Sequence, residues 1–228
     1  MIILYIIMLS NNTKKKLKIS PKSGGVKTLL TKRGYAIVKT HYSLEDISDL
    51  KDELTVKPYV NEEYGASPDP YPIYLESNKK IYMPKHIGFK RFGEPDKIKL
   101  TKGIEIDLKF KGSLRDKQTP IVKAFLDSCD EGSMINKTKG GIISVPCGWG
   151  KTIMALYLIS KLKRKTMIIV HKEFLLNQWI KRIEEFLPEA RVGIIQASKV
   201  DYQNKDIVIG MLQSLSSKEY DVDKVFGD

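Results

Sequence analysis

Two hydrophobic grammars follow one another along the chain. In the first, covering residues 28–111, short elements of mixed type alternate with turns. Tyr35 to Val38 (YAIV) predicts a strand. Ser43 to Leu54 (SLEDISDLKDEL) predicts a helix. Ser43 can cap it, Asp46 follows three residues on, and Leu44, Ile47, Leu50 and Leu54 recur at helical spacing. Residues 58–72 carry Pro58, Pro68, Pro70 and Pro72 and predict loop. Strand-like pieces follow at Ile73–Leu75 and Ile81–Met83. Ile104 to Phe110 alternates cleanly, with Ile104, Ile106, Leu108 and Phe110 on one face, and predicts a half-buried strand. This stretch reads as a small α+β domain.

After Gly112 and Ser113 the grammar changes. Asp116–Cys129 predicts a helix with Ile121, Val122, Phe125, Leu126 and Cys129 inward; Pro120 is tolerated because it lies in the first turn. Gly141–Val145 (GIISV) predicts a strand, Lys151–Leu162 a helix and Thr166–Val170 a strand. Lys172–Leu187 predicts a helix with Phe174, Leu175, Trp179, Ile180, Ile183 and Phe186 at helical spacing. Val192–Gln196 and Asp206–Gly210 predict two more strands. Alternating apolar strands and helices imply an α/β fold, a parallel sheet with helices on both faces.

Composition narrows the choice. The 228 residues carry 42% hydrophobic and 29% charged side chains, which excludes a disordered chain. No apolar run reaches the ~18–20 residues of a membrane span, so no membrane partner is expected and an intracellular, soluble protein is. The apolar opening, Ile2 to Leu9, precedes its lysines, the reverse of a secretory signal, and Met8 reads as the start. Residues 1–27 then form a flexible basic arm. Two cysteines make no disulfide framework, and the three histidines lack metal-ligand spacing to them. The net charge of +12 points to an anionic partner. It is uneven: residues 1–114 hold 21 basic and 13 acidic side chains, so the first half is the stronger electrostatic footprint for nucleic acid. Seven of the eleven tyrosines lie between Tyr35 and Tyr82. Packing is their default role, and stacking on bases is the functional one.

The central chemical signal is Pro146-Cys147-Gly148-Trp149-Gly150-Lys151-Thr152, between an apolar strand and an apolar helix. Glycines let backbone N–H groups turn toward an anion, and the helix N-terminus adds its dipole. Lys151 is placed to reach β- and γ-phosphates, and Thr152 to set its hydroxyl on Mg²⁺. Val145 stands where the strict G-x-x-x-x-G-K-[ST] pattern has glycine. Cys147 reads as a small loop residue.

These residues resemble motif I of superfamily 2 helicases, particularly the XPB-like branch, which includes transcript-release helicases of large DNA viruses. Leu114-Arg115-Asp116-Lys117-Gln118 resembles that family's adenine-reading element, with Gln118 pairing the base and Arg115 and Phe110 flanking it. His171 and Lys172, after the Met167–Val170 strand, resemble motif Ia, and Gln178-Trp179 matches a characteristic pair. Gln213 and Ser214, after Asp206–Gly210, resemble a further nucleic-acid-contacting motif; helix capping is an equal reading for them. The Leu30–Tyr35 and Leu54–Pro58 segments resemble the leader of the viral group. The resemblance implies a partial RecA-like lobe over 112–228 that binds ATP with Mg²⁺. It also implies nucleic acid as partner, DNA in preference to RNA, and association with transcription or repair factors in a viral setting.

A superfamily 2 helicase also needs an Asp-Glu motif II after the P-loop, and no Asp-Glu pair follows Lys151. The chain therefore reads as the front of a helicase, binding nucleotide weakly and not hydrolysing it at a helicase rate. Two other classes stay open: a nucleic-acid-binding module without catalysis, and a different P-loop enzyme such as a kinase.

Overall fold

The structure, a computed structural model, describes residues 25–57, 69–100, 103–129, 140–218 and 220. The basic arm expected over 1–27 lies almost wholly outside the described residues. The described residues divide into two units, on either side of residues 101–102.

The first unit contains β1 (Thr28–Thr31), β2 (Gly34–Val38), α1 (Leu44–Glu53), β3 (Thr55–Val56), β4 (Tyr71–Pro72), β5 (Leu75–Glu76), β6 (Lys80–Met83), α2 (Lys85–Phe92) and β7 (Lys97–Lys99). Five strands form one sheet in the order β5-β6-β2-β1-β7, and β3 pairs with β4 apart from it. Strand β7 runs parallel to β1; the other ladders are antiparallel. The α1 start is a capping box: the Ser43 hydroxyl accepts the Asp46 amide at 3.0 Å, and the Asp46 carboxylate accepts the Ser43 amide. Ile47, Leu50 and Leu54 are buried as predicted, whereas Leu44, the first helical residue, is 90% exposed. It precedes the turn that meets the sheet. The core joins Leu30, Tyr35, Ile37, Ile81 and Met83 of the sheet to Ile47 and Leu50 of α1 and to Ile87, Phe89 and Phe92 of α2. Tyr35 and Tyr42 are buried packing residues.

The second unit contains α3 (Thr119–Cys129), α4 (Lys151–Leu162), β8 (Thr166–Val170), α5 (Glu173–Phe186), β9 (Val192–Gln196), β10 (Lys199–Val200), β11 (Ile207–Met211) and α6 (Leu212–Ser217). Its sheet has the order β10-β9-β11-β8. Strands β9, β11 and β8 are parallel, and β10 closes one edge antiparallel. One face, with Ile168, Val170, Ile207 and Ile209, is covered by α4 and α5 through Leu156, Ile159, Leu176 and Ile183. The opposite face, with Met167, Ile195 and Val208, packs on Leu215 of α6. Helices on both faces of a parallel sheet make this a partial RecA-like α/β fold.

Three expectations are corrected here. Residues 106–110 keep their alternation, with Ile106 and Leu108 buried in the α4–α5 core, whereas Ile104, expected on the same face, is 42% exposed. Residues 104–110 form no strand ladder, only a single Glu105–Arg164 bridge, and they belong to the second unit rather than the first. Gly141–Val145 forms no strand. Ile143 and Val145 pack on α3 and α4 while Ile142 is 53% exposed, so side-chain packing holds the segment without a neighbouring strand among the described residues. Phe174, expected inward, is 67% exposed, and Leu176 takes the buried position on α5.

One ion pair fastens the sheet at its start. Arg191 meets the Asp206 carboxylate through Nη2 at 2.6 Å and Nε at 3.0 Å, and its own amide adds a third bond at 2.8 Å. The Arg191 hydrogen bonds hold the Asp206 carboxyl below its ordinary range. A depressed folded pKa means that the contribution is present above the unfolded value near 3.9 and is lost as pH falls through the folded one. Asp206→Asn is therefore expected to cost about 1–3 kcal/mol at neutral pH. Thermal melts of the two proteins should converge as pH drops below about 4.

Candidate functional site

The loop from Pro146 to Gly150 enters α4, whose first residue is Lys151. Gly148 and Gly150 both sit at φ +77°, in the left-handed region that costs other residues a Cβ clash. Gly150 is the N-cap, and no side chain caps the helix; no acidic residue occupies its first turn. The first amides of α4 thus lack a side-chain acceptor, and the lysine at the helix start sits where the dipole disfavours a cation. Both features suit an anion. In this structure the Lys151 ammonium donates to the carbonyls of Val145 at 2.9 Å and Pro146 at 3.1 Å, folding back over its own loop. Thr152 follows, half-buried, while Pro146, Cys147 and Gly148 are exposed.

Gln118 holds this loop from outside. It is 2% exposed. Its Oε1 accepts the Arg115 amide at 2.9 Å, and its Nε2 donates to the Trp149 carbonyl at 2.8 Å. A Cβ on Gly150 would come within 2.5 Å of Gln118 Nε2, so the glycine also makes room for the amide. The sequence indicated Gln118 but not this bond, which joins residues 31 apart. A further contact was missed: the Lys117 ammonium lies 4.5 Å from the centroid of the Trp149 ring. Its one signal is adjacency to Gln118. Arg115 is exposed beside this turn. Phe110 is not: it stacks on Phe186 at 5.5 Å and meets Tyr157 edge-on at 5.2 Å, so core packing occupies the ring expected to flank adenine.

The other predicted residues gather at the carboxyl ends of β8 and β11. His171, Lys172 and Gln213 are exposed, and Gln213 Nε2 donates to the His171 carbonyl at 3.0 Å, joining the two strand ends. Ser214, expected beside them as a phosphate contact, is buried instead. Its hydroxyl accepts the Ala197 amide at 2.8 Å and its carbonyl accepts the Tyr220 hydroxyl. Closing the β9–β10 turn, where Ala197 has φ +49°, removes it from the surface. Among the described residues no group of three His, Cys, Asp or Glu side chains could hold a metal ion. None of their helices is long and apolar enough to cross a membrane.

Comparison with known proteins gives the family. Residues 111–227 match the family described as type III restriction enzyme, res subunit. A putative ATP-dependent RNA helicase of Acanthamoeba polyphaga mimivirus is 34% identical over 90% of this chain and 39% of its own length. The DNA 3'-5' translocase XPB2 of Sulfurisphaera tokodaii is 41% identical over 35% of this chain and 16% of its own. A transcript termination protein of Yaba monkey tumor virus is 32% identical over 34% of this chain and 17% of its own. The chain thus spans well under half the length of each of these relatives. With the family match covering just over half of the chain and viral helicases and XPB translocases among its relatives, the chain belongs to the res-subunit helicase family, in the XPB-like branch of superfamily 2.

Proposed function

We propose that this chain supplies the ATP-binding lobe of an ATP-driven helicase or translocase acting on nucleic acid. The observation that carries the reading is the tie from Gln118 to the Trp149 carbonyl, which fixes the 146–152 loop around an uncapped helix start. Backbone amides from Gly148 to Thr152 would bind the phosphates, and the Lys151 ammonium would leave the Val145 and Pro146 carbonyls to neutralise them. Thr152 would present its hydroxyl to the Mg²⁺ that accompanies ATP. Arg115 and Gln118 would border the base. His171, Lys172 and Gln213, at the carboxyl ends of parallel strands where this fold class binds ligands, would contact the nucleic-acid backbone. Hydrolysis of bound ATP supplies the free energy for movement in the whole protein. DNA is the expected track, as in the name of the Sulfurisphaera tokodaii translocase, and transcription or repair factors are the expected partners.

Lys151→Ala tests the nucleotide half of this reading. The variant loses a charge-assisted phosphate contact and leaves two carbonyls facing the anion. A charged hydrogen bond contributes about 1.5–3 kcal/mol, so Mg·ATP affinity should fall roughly 10- to 100-fold by calorimetric titration. Wild-type affinity in the variant would contradict the assignment.

A further inference from the structure

The five-stranded sheet of the first unit has two faces, and both of its helices pack on one of them, against Leu30, Tyr35, Ile37, Ile81 and Met83. Cross-strand register puts Leu75, Tyr82, Ala36, Leu29 and Lys97 together on the opposite face. Lys80 opposite Val38, and Lys99 opposite Thr31, lie on that same face. Here the surface dips into a shallow recess of about 230 Å³ lined by Val26, Leu29, Val38, Lys80, Lys97 and Lys99. Three ammonium groups ring an apolar floor, and no carboxylate is in the lining.

Seven of the nine described acids of this unit have partners of their own or lie on α1. Asp96, next in sequence to Lys97, turns its carboxylate to the backbone amides of Lys27 at 2.7 Å and Thr28 at 2.9 Å. Glu76 pairs with Lys39 at 2.7 Å and Lys51 at 2.8 Å. Glu45, Asp46, Asp49, Asp52 and Glu53 all lie on α1, which covers the other face. None of these seven carboxylates lines the recess. Among the described residues Lys80, Lys97 and Lys99 form no salt bridge, and an anion on this face would relieve their mutual repulsion. The face continues to Tyr82, 5.7 Å below the Arg33 guanidinium, and to Leu75, 60% exposed.

We infer that this recess binds an unpaired nucleic-acid strand, with Lys80, Lys97 and Lys99 on its phosphates and Val26 and Val38, over the buried Leu29, against its sugars and bases. A basic groove beside an apolar, aromatic surface is the chemistry that takes single strands without reading their sequence. A duplex would present only phosphates and leave the apolar floor without a partner. The inference rests on the nucleic-acid reading above and adds a second contact surface, on the other unit, to the one at His171, Lys172 and Gln213.

The test is titration of the full chain with a fluorescent oligothymidylate of about 16 nucleotides, from roughly 50 to 200 mM salt. Replacing Lys80, Lys97 and Lys99 together by glutamine should weaken binding and flatten the log–log salt slope by about two, at ~0.7 per lost single-strand phosphate contact. A charge-matched control, Lys123, Lys181 and Lys199 to glutamine, should leave the slope near wild type. Wild-type binding with an unchanged slope in the first variant, or equal losses in both, overturns this inference and leaves the nucleic-acid reading standing. No binding by the wild type overturns both. Photo-crosslinking of the wild type, which needs no variant, should yield adducts within residues 26–38 or 80–99; adducts confined to 103–218 count against the recess.

Discussion

Gly88→Ala is expected to lower the melting temperature of the first unit by on the order of 10–20 °C. Gly88 lies in the interior of α2, where glycine costs about 1 kcal/mol relative to alanine. Propensity alone therefore predicts that the substitution stabilises. Packing reverses the sign. A Cβ at Gly88 would come within 2.6 Å of Tyr35 Cδ1 and closer still to its Cγ and Cβ. Tyr35 is fully buried and cannot step aside: Phe92 stacks on it at 6.0 Å and Phe89 meets it edge-on at 5.6 Å. The methyl would lift α2 off the sheet and loosen all three rings. Overpacking of this kind costs about 1–3 kcal/mol and sometimes more. With the whole helix displaced, a net loss of about 2–3 kcal/mol remains after the propensity gain. Thermal melts followed by circular dichroism check it. An unchanged or raised melting temperature would show that α2 does not rest on Tyr35.

The second large effect is on the 146–152 loop, the proposed nucleotide site. Gln118→Ala removes the acceptor for the Arg115 amide and the donor for the Trp149 carbonyl together, releasing the loop from α3. Gln118→Glu is the harsher change. It keeps the Arg115 bond but turns a carboxylate oxygen on the Trp149 carbonyl, near where phosphates would bind. Mg·ATP affinity should fall about tenfold for alanine and about 100-fold for glutamate. Inorganic tripolyphosphate separates the two roles open to Gln118. A residue that only reads adenine would leave tripolyphosphate binding untouched. With both ends of its amide engaged in holding the loop, Gln118 should weaken tripolyphosphate in parallel with ATP when it is replaced. Loss confined to ATP would favour base reading over positioning.

These residues also show where sequence was enough and where it was not. The glycine turn into α4 was legible because its signal is local: glycine, lysine and threonine stand side by side between an apolar segment and an apolar helix. The α1 capping box and the bounds of α4 and β8 were legible for the same reason, since capping and 3.6- or 2-residue periodicity act over a few positions. Helix α2 was not legible, because a central glycine among charged residues argues against a helix until Tyr35 is seen beneath it. The short strands β1 and β7 were missed too; β7 is an exposed edge strand held by its ladder to β1 rather than by an apolar pattern. Gly141–Val145 failed in the opposite direction, since its composition is that of a strand but its backbone has no partner strand among the described residues. Phe110 was a candidate to flank adenine and Ser214 to contact phosphate or cap a helix; Phe110 packs on Phe186, and the Ser214 hydroxyl accepts the Ala197 amide. The Gln118–Trp149 bond could not be read from spacing at all.

The central claim is that residues 146–152 form the ATP site, held by Gln118. Hydrogen exchange of the wild-type chain with and without Mg·ATP tests it most directly, because it reports where binding occurs. Protection should appear at the amides of Gly148 to Thr152 and extend to the Arg115–Gln118 turn, with the first unit unchanged. Saturating Mg·ATP that leaves the 146–152 amides unprotected, or protects another segment in their place, would contradict the account.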